Sequence, residues 1–200
     1  MTVRAPVVPA FGDPPPAAAI DSAVVALAAG RLVGLPTDTL YGLVGPADAI
    51  YAAKGRPAGI HLPVLVADRH AVTELVGPVP PLAARLMDAF WPGGLTVVVA
   101  RRGGGTVGLR CPDHPVTLAV CRAAGPQPSS SANRHGRAPL TTAAAVAAAF
   151  GDGLAVVLDS GPCAGSPSTV VDCTGQRPVL LREGRVAWAA VQAVAGREGS

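Results

Sequence analysis

Three short segments of this 200-residue chain gather side chains suited to an anion or a hydroxyl-bearing substrate. In residues 35–43, Thr37, Asp38, Thr39 and Tyr41 follow a short apolar run, where the end of a strand would open into a cleft. A capped turn, with Asp38 or Thr39 serving only as caps, accounts for the same residues. The second segment is Lys54-Gly55-Arg56-Pro57. Two cations two residues apart, in a turn held by Gly and Pro, can be aimed at one phosphate chain or carboxylate. A solvated basic turn is the plainer reading. The third segment, residues 128–133, places Ser129, Ser130, Ser131 and Asn133 together after an apolar helix. Hydroxyls and an amide can bind phosphate oxygens or a hydroxylated substrate, and an ordinary Ser-rich loop is again the alternative.

Residue scarcity singles out two of these positions. Fifteen of the sixteen basic residues are Arg, Lys54 is the single Lys, and Asn133 is the single Asn. Lys and Asn codons begin with two adenines, so a GC-rich coding bias depletes both. Survivors of such drift are candidates for positions where chemistry admits no substitute. A Lys ammonium is a compact charge with three rotatable donors, which Arg does not reproduce.

Other chemistries find no support. There is no Walker loop, no GxGxxG opening a helix after a strand, no HExxH and no GxSxG. Histidines 61, 70, 114 and 135 are scattered, and Cys111, Cys121, Cys163 and Cys173 never fall in a CxxC spacing. A zinc knuckle is therefore not expected, and reduced thiols are. A net charge of +3 allows an acidic ligand but leaves no dense Lys/Arg footprint for nucleic acid. Half the residues are hydrophobic and 14% are charged, which excludes a disordered chain. No apolar run approaches the roughly 18 residues of a membrane helix. No charged-then-apolar leader opens the chain, so a soluble cytoplasmic protein is expected.

The elements that must position these residues follow from periodicity and punctuation. With 24 Gly and 21 Pro, turns must be plentiful. Residues 1–16, with Pro6, Pro9 and three prolines at 14–16, are expected as a flexible tail without regular pairing. Helices are expected over 17–29, 47–53, 68–76, 81–90, 116–124, 141–151 and 186–194. Strands are expected over 31–35, 62–67, 95–100, 106–110, 154–158, 169–173 and 179–181. The fold class is α/β: one domain over 17–195 with a twisted mixed sheet flanked by helices, and a second tail over 196–200.

The three segments together closely resemble the YrdC-like family, the L-threonylcarbamoyladenylate synthases. Pro36-Thr37-Asp38-Thr39 with Tyr41-Gly42-Leu43, Lys54-Gly55-Arg56-Pro57 and Ser131-Ala132-Asn133 look like its motifs. So do Trp91-Pro92-Gly93 with Thr96, Val107-Gly108 with Arg110 and Pro112, residues 166–172, and Leu181-Arg182-Glu183-Gly184. All occur in family order over about residues 20–186.

The resemblance implies synthesis of L-threonylcarbamoyl-adenylate from L-threonine, bicarbonate and ATP, with Mg²⁺ and release of pyrophosphate. The product would serve the threonylcarbamoyl modification of adenosine 37 in tRNA. It implies a large, concave, positively charged cleft. Lys54, Arg56, Ser131 and Asn133 would form its catalytic core. Thr37, Thr39 and Tyr41 would lie on the threonine side, and Arg110, Ser130, Ser168 and Arg182 on the nucleotide side. No metal held directly by protein ligands is expected. Implied partners are downstream threonylcarbamoyl-transfer proteins and tRNA or double-stranded RNA, with no membrane. Two departures border that cleft: the connection over 44–53 is shorter than in typical members, and Ile60-His61 replaces the usual Lys-Pro or Asn-Pro. A paralogue with another amino-acid or carbamoyl substrate, or a non-catalytic RNA-binding protein, are the alternatives.

Overall fold

The computed structural model describes residues 4–55 and 61–196, so Arg56 and Ile60 lie outside the described residues. The strands are β1 (Val7–Pro9), β2 (Leu32–Leu35), β3 (Gly42–Val44), β4 (Val64–Leu65), β5 (Leu95–Ala100), β6 (Thr106–Arg110), β7 (Gln127–Ser131), β8 (Leu154–Asp159), β9 (Thr169–Asp172) and β10 (Val179–Arg182). The helices are α1 (Ala17–Ala28), α2 (Ala47–Lys54), α3 (Arg69–Val76), α4 (Pro81–Phe90), α5 (Pro115–Ala124), α6 (Ala143–Phe150) and α7 (Trp188–Ala195). The strands form one mixed sheet in the order β1-β8-β2-β3-β7-β4-β6-β5-β9-β10. The expected α/β class with a mixed sheet is what the chain adopts.

Local chemistry sets the helix boundaries. Asp68 caps α3 by accepting from Ala71 N at 3.0 Å, and Thr142 caps α6 through Ala145 N. Pro81 and Pro115 open α4 and α5, where a missing N–H costs nothing. Gly55, at φ 62°, ends α2 in the left-handed conformation that a side chain rarely adopts.

Three strands depart from expectation. The N-terminal stretch is not simply an unpaired tail: β1 pairs in parallel with β8. Its prolines are tolerated because β1 is an edge strand and only alternate residues bond to β8. Pro6 O accepts from Val157 N, and Ala10 N donates to Asp159 O, so Pro9 needs no N–H. The second is β3, only three residues long and thus without visible alternation. The third, β7 (Gln-Pro-Ser-Ser-Ser), lacks β-formers altogether, yet pairs with β3 on one side and β4 on the other.

Period-two alternation positions the site. On β5, Leu95, Val97 and Val99 enter a core with α4, as do Val107 and Leu109 of β6 and Val171 of β9. Their neighbours Thr96, Val98, Thr106, Gly108, Arg110, Val170 and Asp172 line a cavity on the other face. One face of this half-sheet is core, and the other is the floor of a cleft.

Three core thiols set an alkaline limit. Burial pushes the thiol of Cys111 up to about 11 and those of Cys121 and Cys173 up to about 12. Above about pH 8.5 the unfolded chain releases these protons while the folded chain keeps them. The folded state then binds more protons, so stability falls as pH rises. The urea midpoint under reducing conditions should therefore be lower at pH 10 than at pH 8, and Cys121→Ala should flatten that slope. A midpoint that does not move between the two pH values removes the thiols as its cause.

Candidate active site

The cavity encloses about 600 Å³, room enough for a nucleotide-sized ligand. The expected residues Thr37, Thr39, Tyr41, Ser130, Ser131, Arg110, Ser168 and Arg182 line it. They come from the loop before β3, from β7, from the end of β6, from the residue before β9 and from β10. Segments far apart in the chain thus converge on one space, while Arg56 lies outside the described residues.

Lys54 and Asn133 meet directly. The Lys54 ammonium, on a residue only 4% exposed, donates to Ser131 O at 2.6 Å, Asn133 O at 2.8 Å and Asn133 Oδ1 at 3.0 Å. Asn133 Oδ1 also accepts from Ser131 Oγ at 2.6 Å, and its amide donates to Arg134 O and Arg137 O. The last residue of α2 is in this way tied to the end of β7 and the turn after it. In this arrangement the ammonium is held by acceptors just behind the cavity wall and does not stand in the open.

Arg110 is the second buried cation, 7% exposed. Its Nε donates to Gly93 O at 3.0 Å, Nη1 to Thr39 Oγ1 at 2.7 Å and Nη2 to Asp38 Oδ1 at 2.6 Å. Burial pushes its pKa down from the ordinary value, Asp38 pulls it back up, and neighbouring Arg182 and Arg185 push it down again. A guanidinium stays charged through such shifts, so Arg110, which lines the cavity, is a fixed cation on its wall. Arg110, expected on the nucleotide side, bonds directly to Thr39, whose hydroxyl meets that of Thr37 at 2.9 Å.

On the edge strand β10, Arg182 donates through Nε and Nη2 to Ser168 O and through Nη2 to Ser168 Oγ at 3.1 Å. Ser168 Oγ in turn meets Thr96 Oγ1 at 2.9 Å. Burial also pushes the Arg182 pKa down. Tyr41 is fully buried, and its hydroxyl donates to Gly161 O at 2.9 Å. That bond braces the wall, and Tyr41 lines the cavity together with Thr37 and Thr39.

Several wall residues stood in the quoted motifs, or beside them, without a site role assigned from the sequence. His61, named in the sequence only as part of the Ile60-His61 departure, lines the cavity, as do Thr96, Asp172 and Leu181. Alternation along β5 and β9 was the signal that could have found Thr96 and Asp172. Asp38, read as a possible cap, is instead the buried carboxylate opposite Arg110, with side chains 8% and 9% exposed. Among the described residues no group of three or more His, Cys, Asp or Glu is placed to hold a metal ion. Asp172 is a carboxylate on the wall. No helix among them is long and apolar enough to cross a membrane.

Residues 25–184 match the family described as "Telomere recombination", Sua5/YciO/YrdC. A Mycobacterium tuberculosis protein provisionally named threonylcarbamoyl-AMP synthase is 40% identical over 88% of this chain and 89% of its own length. The threonylcarbamoyl-AMP synthase of Bacillus subtilis is 39% identical over 88% of this chain, which spans 56% of that protein. A crystal structure of Pyrococcus abyssi Sua5 complexed with L-threonine superposes with a TM-score of 0.89 at 31% identity. It covers 95% of this chain, which spans 61% of that one.

The close packing of Gly184 against residues 167–168 tests how the wall is held. A Cβ built on Gly184 would collide with Pro167 O and lie 2.7 Å from Ser168 C and O. Gly184→Ala should therefore displace Ser168, weaken nucleotide binding at least about tenfold and lower the melting temperature by roughly 2–4 °C per kcal/mol lost. Calorimetry and nucleotide titration check this; wild-type affinity and stability in that variant would show that the approach has slack.

Proposed function

The chain belongs to the Sua5/YciO/YrdC family, and from that premise we propose that it makes L-threonylcarbamoyl-adenylate from L-threonine, bicarbonate and ATP, with release of pyrophosphate. One observation carries the reading: a single cavity has the fixed guanidiniums of Arg110 and Arg182 on its wall, with Thr and Ser hydroxyls between them. An amino-acid carboxylate and a triphosphate each need such a cation, and the hydroxyls bind either anion.

In the reaction, the threonine nitrogen first bonds to the carbon of bicarbonate, with water lost, to give a carbamate. A carbamate oxygen then attacks the α-phosphorus of ATP, and the bond from that phosphorus to the bridging oxygen breaks, releasing pyrophosphate. Charge develops on the phosphoryl oxygens, so preoriented cations and donors serve better than an acid–base pair. Arg110, hydrogen-bonded to Thr39, suits the threonine carboxylate. Arg182, Ser168, Ser130 and Ser131 suit phosphate oxygens. Arg56 would add a cation to the Lys54, Ser131 and Asn133 cluster. ATP enters as its Mg²⁺ complex.

Lys54 bears on the phosphates through the turn it holds, since its donors reach Ser131 and Asn133. The product would pass to proteins that transfer the threonylcarbamoyl group to adenosine 37 of tRNA, and the chain would act among cytoplasmic partners. The cavity demands no RNA contact for this first step.

The test is purified full-length protein with ATP, Mg²⁺, bicarbonate and single amino acids, read by pyrophosphate release. Release should require threonine, and serine should be disfavoured by about 10–200-fold, the worth of one methyl contact. Release independent of amino acid, or driven only by another carbamoyl donor, overturns the proposal. Lys54→Ala should lower turnover about 10–100-fold, the scale of a lost contact that orients the groups meeting the ligand. It should also lower the melting temperature by several degrees, because three carbonyl-type acceptors lose their donor. Retained turnover would remove Lys54 from the mechanism.

A further inference from the structure

Asp38 serves two guanidiniums. Its carboxylate Oδ1 accepts from Arg110 Nη2 at 2.6 Å, and its backbone oxygen accepts from Arg185 Nη1 at 2.7 Å, 147 residues away in the chain. Arg185 does not line the cavity. The loop between β10 and α7 that carries it is pinned on both sides. Thr169 Oγ1 accepts from the amides of Gly184 and Val186 at 2.9 and 3.1 Å, and the amide of Arg185 itself donates to Pro167 O at 2.9 Å. From that fixed base the side chain runs along Gly94. A Cβ built on Gly94 would stand 2.9 Å from Cβ and Cδ of Arg185 and 3.1 Å from its Cγ, so glycine there leaves the bed in which the stem lies. Gly93, one residue earlier, supplies the carbonyl that accepts from Arg110 Nε at 3.0 Å. Each of these acceptors of Arg110 therefore sits in, or next to, a residue that the Arg185 side chain touches: Gly93 O beside Gly94, Asp38 Oδ1 in Asp38 itself, and Thr39 Oγ1 one residue on.

We propose that Arg185 is a positioning residue: its side chain straps the 183–187 loop across Gly94 to Asp38, and so fixes the backbone from which Asp38 and Thr39 orient Arg110 for the amino-acid substrate. An exposed arginine samples many rotamers, whereas this one is confined by contact along three carbons and by an acceptor at its tip. Its charge does not help Arg110, because the two guanidiniums repel and the nearby cation pushes the Arg110 pKa down. What Arg185 supplies is geometric: a hydrogen bond to one segment and a stem laid on another. With both segments held, Arg110 keeps its acceptors in register and need not reorganise when an anion arrives. Residues that orient a binding group through a second layer of hydrogen bonds act in this way elsewhere. The inference rests on the assignment of Arg110 to the threonine carboxylate.

Two measurements on the full-length protein decide it. In steady-state kinetics, Arg185→Ala should raise the threonine KM about tenfold and leave the ATP KM within about twofold. A strap acts by contact, so the ratio to wild type should hold between about 0.1 M and 1 M salt, where the Debye length falls from about 10 Å to about 3 Å. Arg185→Lys, whose stem can lie on Gly94 and whose ammonium can reach the same carbonyl, should restore the threonine KM to within about threefold of wild type. A ratio that vanishes at high salt, equal rises in both constants, or a Lys variant as impaired as the Ala variant overturns the positioning role. Should Arg185→Ala fail to fold, Arg185→Met, which keeps a stem and lacks the donor, takes its place in this comparison. The second measurement is a double-mutant cycle with Gly94→Ala, which pushes on the stem from the other side. Read by melting temperature, Gly94→Ala should destabilise the wild type and have less effect where Arg185 is already Ala. Additive shifts overturn the contact whatever the protein catalyses. A wild type without threonine-dependent release would sink the functional reading and leave the thermal cycle to decide the strap.

Discussion

Buried positive charge is what this structure is arranged around. Lys54 and Arg110 are each less than one-tenth exposed, and a cation withdrawn from water is tolerated only when acceptors surround it. The acceptors come from segments far away in the chain: residues 131 and 133 for Lys54, and residues 38, 39 and 93 for Arg110. Satisfying these two cations thus draws three segments together, around residues 38–39, 93 and 131–133, and Thr39 and Ser131 of those segments stand on the cavity wall. The geometry that stabilises the fold and the geometry that would receive an anion are the same geometry.

The rest of the site follows from a sheet with two unlike faces. Helices α4 and α7 pack on one side of the β5-β6-β9 region, and the residues between the core positions are left to line the cleft. Small residues keep that floor low. A Cβ on Gly108 would stand 3.3 Å from Thr96 Cγ2, so glycine there preserves depth next to a polar floor residue. Thr96 and Ser168 satisfy one another across two strands, which lets a polar surface lie over an apolar core.

Much of this was legible before any coordinates. The helix boundaries at Asp68, Pro81, Pro115 and Thr142 are written in local capping chemistry, which acts over three or four residues. The hairpin of β5 and β6 announces itself by apolar runs around a glycine turn. The convergence of Lys54 with Asn133 was legible from their rarity and from the family's motifs. Three things were not. β7 is a strand because β3 and β4 flank it, a tertiary cause that its Gln-Pro-Ser-Ser-Ser sequence does not carry. Asp38 looked like a cap because its true partner, Arg110, is 72 residues away. The partner of the Tyr41 hydroxyl, Gly161 O, lies 120 residues away, and no local pattern reveals it.

The pairing of β1 with β8 carries a consequence for how the chain is made. Val7 waits for Val157, its partner 150 residues downstream. At ribosomal speeds of about 5–20 residues per second, that interval is on the order of ten to thirty seconds. Throughout it, β2 also lacks its parallel neighbour β8 and shows an open hydrogen-bonding edge. The last third of the message therefore closes what the first line began, and a nascent chain stalled before residue 154 would leave the tunnel with its sheet unsealed.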